Sequence, residues 1–313
     1  MPTLKEFTFP SSNGKTSIYV RSFIPQGAPR GIVQIAHGIA EHSARYDGFA
    51  AFLAEHGFVV YTNDHLGHGR SLNDESELGF FADNGGWEMA VEDMRKLHDI
   101  AAEEFPGIPH FLFGHSMGSF LARTYIIYFR SGLDGVILSG TGQQAKALVL
   151  GGKLLSSIEI KKNGGKFKSE MLNNIAFGKY NDGFDTPRTI SDWISRDEAE
   201  VDKYIEDPLC GYVATVSLFR DMMGGIKYIT DQKNIDKMNK EAPIYFMSGA
   251  ADPVGDNGAG VEKAYQAFLK AGLKDVMMRL YPEGRHEMLN ELNKDAVYKD
   301  ILNWLEEKLP KLQ

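Results

Sequence analysis

The stretch Gly114-His115-Ser116-Met117-Gly118 constrains this chain more than any other. The apolar run Pro109 to Phe113 before it reads as a buried strand, and Ser119 to Ile126 after it reads as a helix. Strand, Gly-x-Ser-x-Gly, helix demands a turn sharp enough to present one side chain at the strand's carboxyl end. A Cβ at Gly114 or Gly118 would crowd the neighbouring backbone, so glycine suits both positions. Ser116 is then expected in a strained conformation at a helix N-terminus, whose positive dipole end favours a developing negative charge. With 33 glycines in 313 residues such a pentapeptide could arise by chance. The strand before it and the helix after it are what make the match informative.

The surrounding pattern indicates the fold that holds this turn. Thr16 to Pro25 alternates and is rich in β-branched and aromatic residues, as an antiparallel strand would be. Ile32 to Ala36 and Phe58 to Thr62 are short apolar runs expected as buried strands, while Arg45 to His56 and Trp87 to Glu104 have helical spacing. Gly135 to Ser139 is the next strand. The alternation resumes with a strand at Pro243 to Ser248, a helix at Gly260 to Ala271, a strand at Val276 to Tyr281 and a closing helix at Leu292 to Leu309. Short apolar strands alternating with helices predict a mostly parallel sheet covered on both faces. The stretch from Gly142 to Ala242 breaks this pattern and is too long for a structureless loop. It predicts a mainly helical cap at 142–235 inserted into a core of 1–141 and 236–313, with a basic glycine turn at Lys161 to Lys166.

Charge and cysteine content narrow the partners. A formal net charge of −8 argues against nucleic acid and against a polybasic membrane anchor. No apolar run approaches the roughly 20 residues of a membrane span, and Met1 to Asn13 lacks the pattern of a signal peptide, so a cytoplasmic protein is expected. One cysteine, Cys210, allows no intrachain disulfide. The oligomeric state stays open.

A serine hydroxyl needs a base to become a nucleophile, and the base needs an acid to orient it. On a strand–turn–helix of this kind the acid follows the serine and the histidine comes last. Of nine histidines only His286 follows the turn, in Glu283-Gly284-Arg285-His286-Glu287 after the last strand. His115, next to the serine, is expected to point the wrong way to serve. The acid should follow the preceding strand, where Asp252 is preferred and Asp256 is the alternative. An oxyanion needs preorganised donors, expected to be the backbone N–H groups of Met117 and of Ile39 in the loop after Ala36. His65 and His68, beside Asp64, lack further ligands for a metal and read as a structural loop near the mouth of the site. Neither a metal nor a cofactor is expected.

Together these pieces resemble the α/β-hydrolases of the monoglyceride lipase and lysophospholipase group. The resemblance rests on His37-Gly38-Ile39-Ala40-Glu41-His42-Ser43-Ala44-Arg45-Tyr46, the Asp64 to Ser71 loop, Gly114 to Gly118, the Gly249 to Gly255 loop and Arg285-His286-Glu287-Met288-Leu289-Asn290-Glu291. Within the insertion it rests on Ser195-Arg196-Asp197, Glu200 to Tyr204 and Asp207-Pro208-Leu209. It implies the α/β-hydrolase fold, an eight-stranded, mostly parallel sheet flanked by helices with an inserted, mainly helical cap. It implies Ser116, Asp252 and His286 as a catalytic triad, with Ile39 and Met117 as oxyanion donors. Glu41, Arg45 and Tyr204 are implied beside the pocket for the leaving alcohol, although Glu41 and Arg45, four apart, could equally pair on a helix start. The group often carries a histidine three residues after the base, where it helps to hold glycerol. Here that position is Leu289.

The expected activity is cofactor-free hydrolysis, through an acyl-enzyme, of lipid-like monoacyl esters of the monoacylglycerol or lysophospholipid type. The acyl chain would lie in an apolar tunnel under the cap, with Leu148, Val149, Leu150, Leu154, Leu155 and Ile158 as candidate lining. Cap aromatics Phe167, Phe177, Tyr180, Phe184, Trp193, Tyr204, Tyr212 and Phe219 would surround it. The cap is also expected to touch membrane or micelle surfaces transiently. One alternative is a peptidase or thioesterase on the same triad, with Glu159, Glu170, Glu198 and Glu200 as candidates to hold a free amine. Another is a non-catalytic, ligand-binding version of the fold.

Overall fold

The computed structural model describes residues 1–310. Its strands are β1 (Thr3–Pro10), β2 (Ser17–Ile24), β3 (Gly31–Ala36), β4 (Phe58–Asn63), β5 (His110–His115), β6 (Gly135–Ser139), β7 (Ile244–Gly249) and β8 (Val276–Tyr281). They form one sheet in the order β1-β2-β4-β3-β5-β6-β7-β8. β1 and β2 pair antiparallel with each other, β2 pairs antiparallel with β4, and every later pairing is parallel. β3 to β7 are buried along their whole length, which is why each reads as a continuous apolar run rather than an alternation. β1 was not anticipated. It is an edge strand exposed at most positions, so its sequence carries little hydrophobic signal.

The helices are α1 (Asp47–Glu55), α2 (Gly86–Glu104), α3 (Met117–Tyr128), α4 (Lys146–Asn163), α5 (Glu170–Phe177), α6 (Glu198–Glu206), α7 (Val216–Ile229), α8 (Gln232–Ile235), α9 (Ala259–Lys270) and α10 (Lys294–Lys308). One sheet face packs on α1 and α10 through residues such as Phe49, Leu53, Ile301 and Leu305. The other packs on α2, α3 and α9 through Met94, Leu97, Leu121, Tyr125 and Phe268. Among the described residues no helix is long and apolar enough to cross a membrane.

Five of these helices, α4 to α8, fall between β6 and β7. Their attachment is polar and buried. Arg123 of α3, fully enclosed, donates to the carbonyl of Gly142 at 2.8 Å and to that of Ile229 at 3.3 Å, so one side chain grips both ends of the insertion. Burial pulls its guanidinium down to about 9. The expected basic turn at Lys161 to Lys166 is shorter than predicted. α4 continues through Lys161 and Lys162, where cations suit a helix C-terminus, and turns at Gly164, which has a φ of 86°. A mixed eight-stranded sheet flanked by helices on both faces, with the serine turn at its carboxyl edge, is the α/β-hydrolase fold.

Candidate active site

β5 ends at His115 and α3 begins at Met117, which leaves Ser116 alone in the turn with φ 52° and ψ −120°. A non-glycine residue holds such a conformation only where its surroundings over-determine it. Here Ser116 N donates to the Ser139 carbonyl at 2.9 Å, while Ser119 N and Oγ donate to the Ser116 carbonyl at 2.9 and 2.6 Å. A Cβ on Gly118 would strike the carbonyls of Ala36 and His37, so the start of α3 is wedged against the end of β3. That wedge brings the loop after β3 beside the serine. A Cβ on Gly38 would lie 3.1 Å from Ser116 Cβ.

The loops after β7 and β8 meet at the same edge. Asp252 is fully buried, and both of its oxygens lie 3.0 Å from His286 Nδ1. Ser248 Oγ donates to one oxygen and Val254 N to the other, each at 2.9 Å. Burial pulls the His286 imidazole down, but the charge and hydrogen bond of Asp252 outweigh it, and the ring ends above the ordinary histidine range. Burial likewise raises Asp252, and the facing imidazolium and the two donors bring it below the ordinary carboxylate range. Asp256 instead stands exposed, with its carboxylate 3.7 Å from Lys263. The loop carrying His286 is also stitched to the insertion, with His286 N donating to Trp193 O at 3.3 Å and Glu287 N to Ile194 O at 2.7 Å.

His115 is nearer to this pair than its place in the turn suggested. Its ring centre is 4.6 Å from that of His286, and it faces the same cavity. Burial and the charge of His286 push it down to about 3, so it stays neutral and takes no proton at working pH. Gly140, at φ 58°, lets both rings in, since a Cβ there would come within about 3 Å of each.

The residues assigned by resemblance to the alcohol pocket form a buried network. Glu41 accepts from Gly38 N, from Tyr46 Oη at 2.8 Å and from Arg45 Nη1 at 2.9 Å. Arg45 forks onto Glu287 at 2.6 and 2.7 Å, with its guanidinium 4.8 Å from the centre of the Tyr204 ring. Tyr204 Oη donates to the Ala40 carbonyl at 3.2 Å. The pairing of Glu41 with Arg45 and the placement of Glu41 and Tyr204 on the cavity therefore hold together. Burial raises Glu287, but the charge and hydrogen bonds of Arg45 bring it down to about 2. Burial also raises Glu41, and there Arg45 only partly offsets it, with the charge of Glu287 pushing further up. Glu287 is the firmer anion of the two. Sequence reading missed this pairing, though Glu287 sits directly after His286.

His65 and His68 pack under the loop after β3. Their ring centres lie 4.3 and 5.2 Å from that of His37, and His65 N donates to His37 Nε2 at 2.9 Å. Burial pushes them down to about 3 and about 4, so this is a neutral imidazole layer.

Ser116, His286, Ile39 and Met117 all open on one cavity of about 280 Å³. Its far wall is apolar and comes from the insertion: Phe177, Tyr180, Trp193, Tyr204 and Phe219 line it. Phe167, Phe184 and Tyr212 do not. Phe184 covers Arg285 instead, and Tyr212 packs on His68. Of the six residues expected from α4, Leu148 and Val149 reach the cavity, whereas Leu150, Leu154, Leu155 and Ile158 face outward, 36 to 62 % exposed. Helical periodicity cannot decide which side of a cap helix faces in when both sides are apolar. Glu159, Glu170, Glu198 and Glu200 are absent from the cavity wall, and Glu200 is bound by Lys203 and Lys294 at 3.1 and 3.0 Å. A serine hydroxyl and a histidine–carboxylate pair opening on an apolar chamber suit acyl transfer from a substrate with a greasy acyl chain.

Comparison with known proteins agrees with this geometry. Residues 27–293 match the family described as serine aminopeptidase, S33. The chain is 28% identical to a monoacylglycerol lipase of Mycolicibacterium smegmatis, over 97% of each chain. It is 26% identical to the human monoglyceride lipase, over 93% of this chain and 87% of that one. Among solved structures, a highly thermostable carboxyl esterase from Bacillus coagulans in complex with glycerol superposes with a TM-score of 0.91 at 31% identity, covering 97% of this chain and 98% of that one.

Proposed function

The chain belongs to the serine aminopeptidase S33 family of α/β-hydrolases, and on that premise we propose that it hydrolyses carboxylic esters of monoacyl lipids, monoacylglycerols ahead of lysophospholipids, through an acyl-enzyme on Ser116. The observation that carries the reading is the apolar chamber opening on Ser116 beside the His286–Asp252 pair. His286 takes the hydroxyl proton as Ser116 attacks the ester carbonyl, and the N–H groups of Met117 and Ile39 receive the oxyanion. The histidine then protonates the leaving alcohol, and a water released by the same base hydrolyses the acyl-enzyme. Asp252 holds the tautomer and the developing imidazolium.

The alcohol leaves past Glu41 and Glu287, with Arg45 paired to both and itself off the cavity wall. Arg45 is the cation there, and both faces of its fork are taken by carboxylates. Beside Arg45 a phosphate head group would meet two acidic groups and a guanidinium already paired to both, which favours a neutral alcohol. Leu289, buried where the group often has a histidine, leaves glycerol one contact fewer, so simple alkyl and aryl esters remain substrates. Residues 142–235 act as the cap, and the outward leucines of α4 suit transient contact with a micelle or membrane surface. The cytoplasmic setting read from the sequence is kept. The peptidase alternative loses the four cap glutamates proposed to hold an amine, which lie off the cavity wall.

The test is a series of esters with one leaving group and rising acyl length, run beside monoacyl and triacyl glycerols and an aminoacyl amide. Each buried methylene contributes up to about 0.8 kcal/mol, so kcat/KM should climb over acetate to a medium chain of roughly four to eight carbons. A flat profile, a preference for triacylglycerol, or faster amide than ester turnover would each overturn the reading.

A further inference from the structure

A second cluster of coordinating groups lies beside the oxyanion loop, apart from the serine and its partners. His42 follows Glu41 in that loop, while Asp207 and Cys210 stand in the turn between α6 and α7. His42 Nε2 lies 2.8 Å from Asp207 Oδ2, and one ligand atom of each of the three residues lies within 4.8 Å of the other two. We propose that His42, Asp207 and Cys210 form a zinc-binding site, separate from catalysis, that cross-links the oxyanion loop to the cap.

The donor set carries the choice of ion. Imidazole, carboxylate and thiolate together suit borderline-soft zinc, whereas magnesium and calcium want oxygen alone. Three protein ligands leave a fourth tetrahedral position for water. Tetrahedral bonds of about 2.0 to 2.3 Å place ligand atoms roughly 3.3 to 3.8 Å apart, so the cluster closes on an ion by about an ångström of side-chain adjustment.

Much of the ordering is already in place. Leu209 N donates to Asp207 Oδ1 at 2.8 Å and Cys210 N to the Asp207 carbonyl at 2.9 Å, which folds Asp-Pro-Leu-Cys into one tight turn with carboxylate and thiol close together. Gly211 N donates to the Ala40 carbonyl at 2.9 Å and Tyr204 Oη reaches the same oxygen, so this turn is stitched to the loop that bears His42. Two segments 165 residues apart in sequence thus meet. His42 and Asp207 are partly exposed, which gives an ion a way in, and Cys210 closes the inner side. Arg45, whose charge reaches Cys210, is itself paired with Glu41 and Glu287, so zinc meets no uncompensated cation there. On binding, the Cys210 S–H bond breaks, a zinc–sulfur bond forms and the proton leaves to the buffer. The His42–Asp207 hydrogen bond opens, and each partner turns its lone pair to the ion.

The experiment is calorimetric titration of chelator-treated full-length protein with Zn²⁺ at pH 8, in two buffers of different protonation enthalpy. One ion per chain and one proton released per ion are expected. Cd²⁺, titrated as a spectroscopic stand-in, should develop a sulfur-to-metal charge-transfer band. Cys210→Ser should abolish that band. Each of Cys210→Ser, His42→Gln and Asp207→Asn should weaken Zn²⁺ binding by roughly tenfold or more. Zinc should raise the thermal midpoint of the wild type and not of Cys210→Ser. Zinc affinity unchanged in Cys210→Ser, no charge-transfer band in the wild type, or no saturable binding would each overturn the site. Metal-free Cys210→Ser should hydrolyse esters as the metal-free wild type does, and Ser116→Ala should bind zinc normally. Failure of this site and failure of the hydrolase reading therefore give different results.

Discussion

The two walls of the cavity are built by different physics. On the sheet side, Asp252, His286 and Ser116 are buried polar groups, and hydrogen bonds fix the two loops and the turn that carry them. On the insertion side the wall is aromatic and aliphatic, and α4 leaves four large apolar side chains turned outward. Hydrogen bonds are directional and costly to leave unmade in a buried site, whereas apolar contact is non-directional and scales with area. The first kind of wall suits chemistry, which needs atoms placed to a few tenths of an ångström. The second suits a flexible acyl chain. Changes on the sheet side should therefore lower turnover for every substrate, and changes on the insertion side should alter its dependence on the substrate.

The largest effect expected is from Ser116→Ala, which should cut ester turnover by a factor on the order of 10⁴ to 10⁶ with little change in the thermal midpoint. Near-normal turnover in that variant would erase the contrast, because the sheet wall would then hold no nucleophile.

Asp252→Asn should lower turnover by on the order of 10³ to 10⁴ for short and long esters alike. It should also move the pH profile. As the proposed base, His286 works only when neutral, and the Asp252 carboxylate holds it above the ordinary histidine range. Wild-type kcat/KM should thus rise as pH climbs through that raised value. Without the carboxylate the rise should fall at lower pH. An unshifted acid limb in the variant would separate Asp252 from the base.

On the opposite wall, Phe219→Ala should leave acetate esters nearly unchanged and cost the best medium-chain ester about 1 to 2 kcal/mol, roughly five- to thirtyfold in kcat/KM. Equal losses across all chain lengths would mean that this aromatic wall holds the catalytic geometry and not the acyl chain.

Glu287→Gln probes the seam between the walls. It keeps the shape but removes the charge that holds Arg45. Monoacylglycerol turnover should fall about tenfold, and the ratio of lysophospholipid to monoacylglycerol turnover should rise as the guanidinium becomes available to phosphate. A constant ratio would show that head-group choice is made elsewhere. The smallest effect is expected from Leu154→Ser on the outer face of α4, which should leave monomeric substrates untouched and slow micellar ones only a few-fold, measured on either side of the critical micelle concentration. Loss on monomeric substrate as well would place Leu154 in the fold's stability and not at a surface contact.

Strong local chemistry made part of this protein legible without coordinates. Parallel strands buried on both faces must be short apolar runs, so β3 to β7 stand out, and a serine between two glycines at a strand-to-helix turn can be recognised from spacing alone. With one histidine after that turn, His286 had no rival. Edge strand β1, mostly in solvent, had no comparable pattern. What only the tertiary structure decided depends on which distant groups meet. That Asp252 and not Asp256 faces His286 follows from the way the loop after β7 buries one carboxylate and exposes the other. Glu287 becomes the partner of Arg45 only because the loop after β3 and the loop after β8 converge 242 positions apart. The apolar residues of α4 divide between cavity and solvent by how the helix is rotated on α7, and a helix with large apolar residues on more than one side does not encode that rotation in its own period.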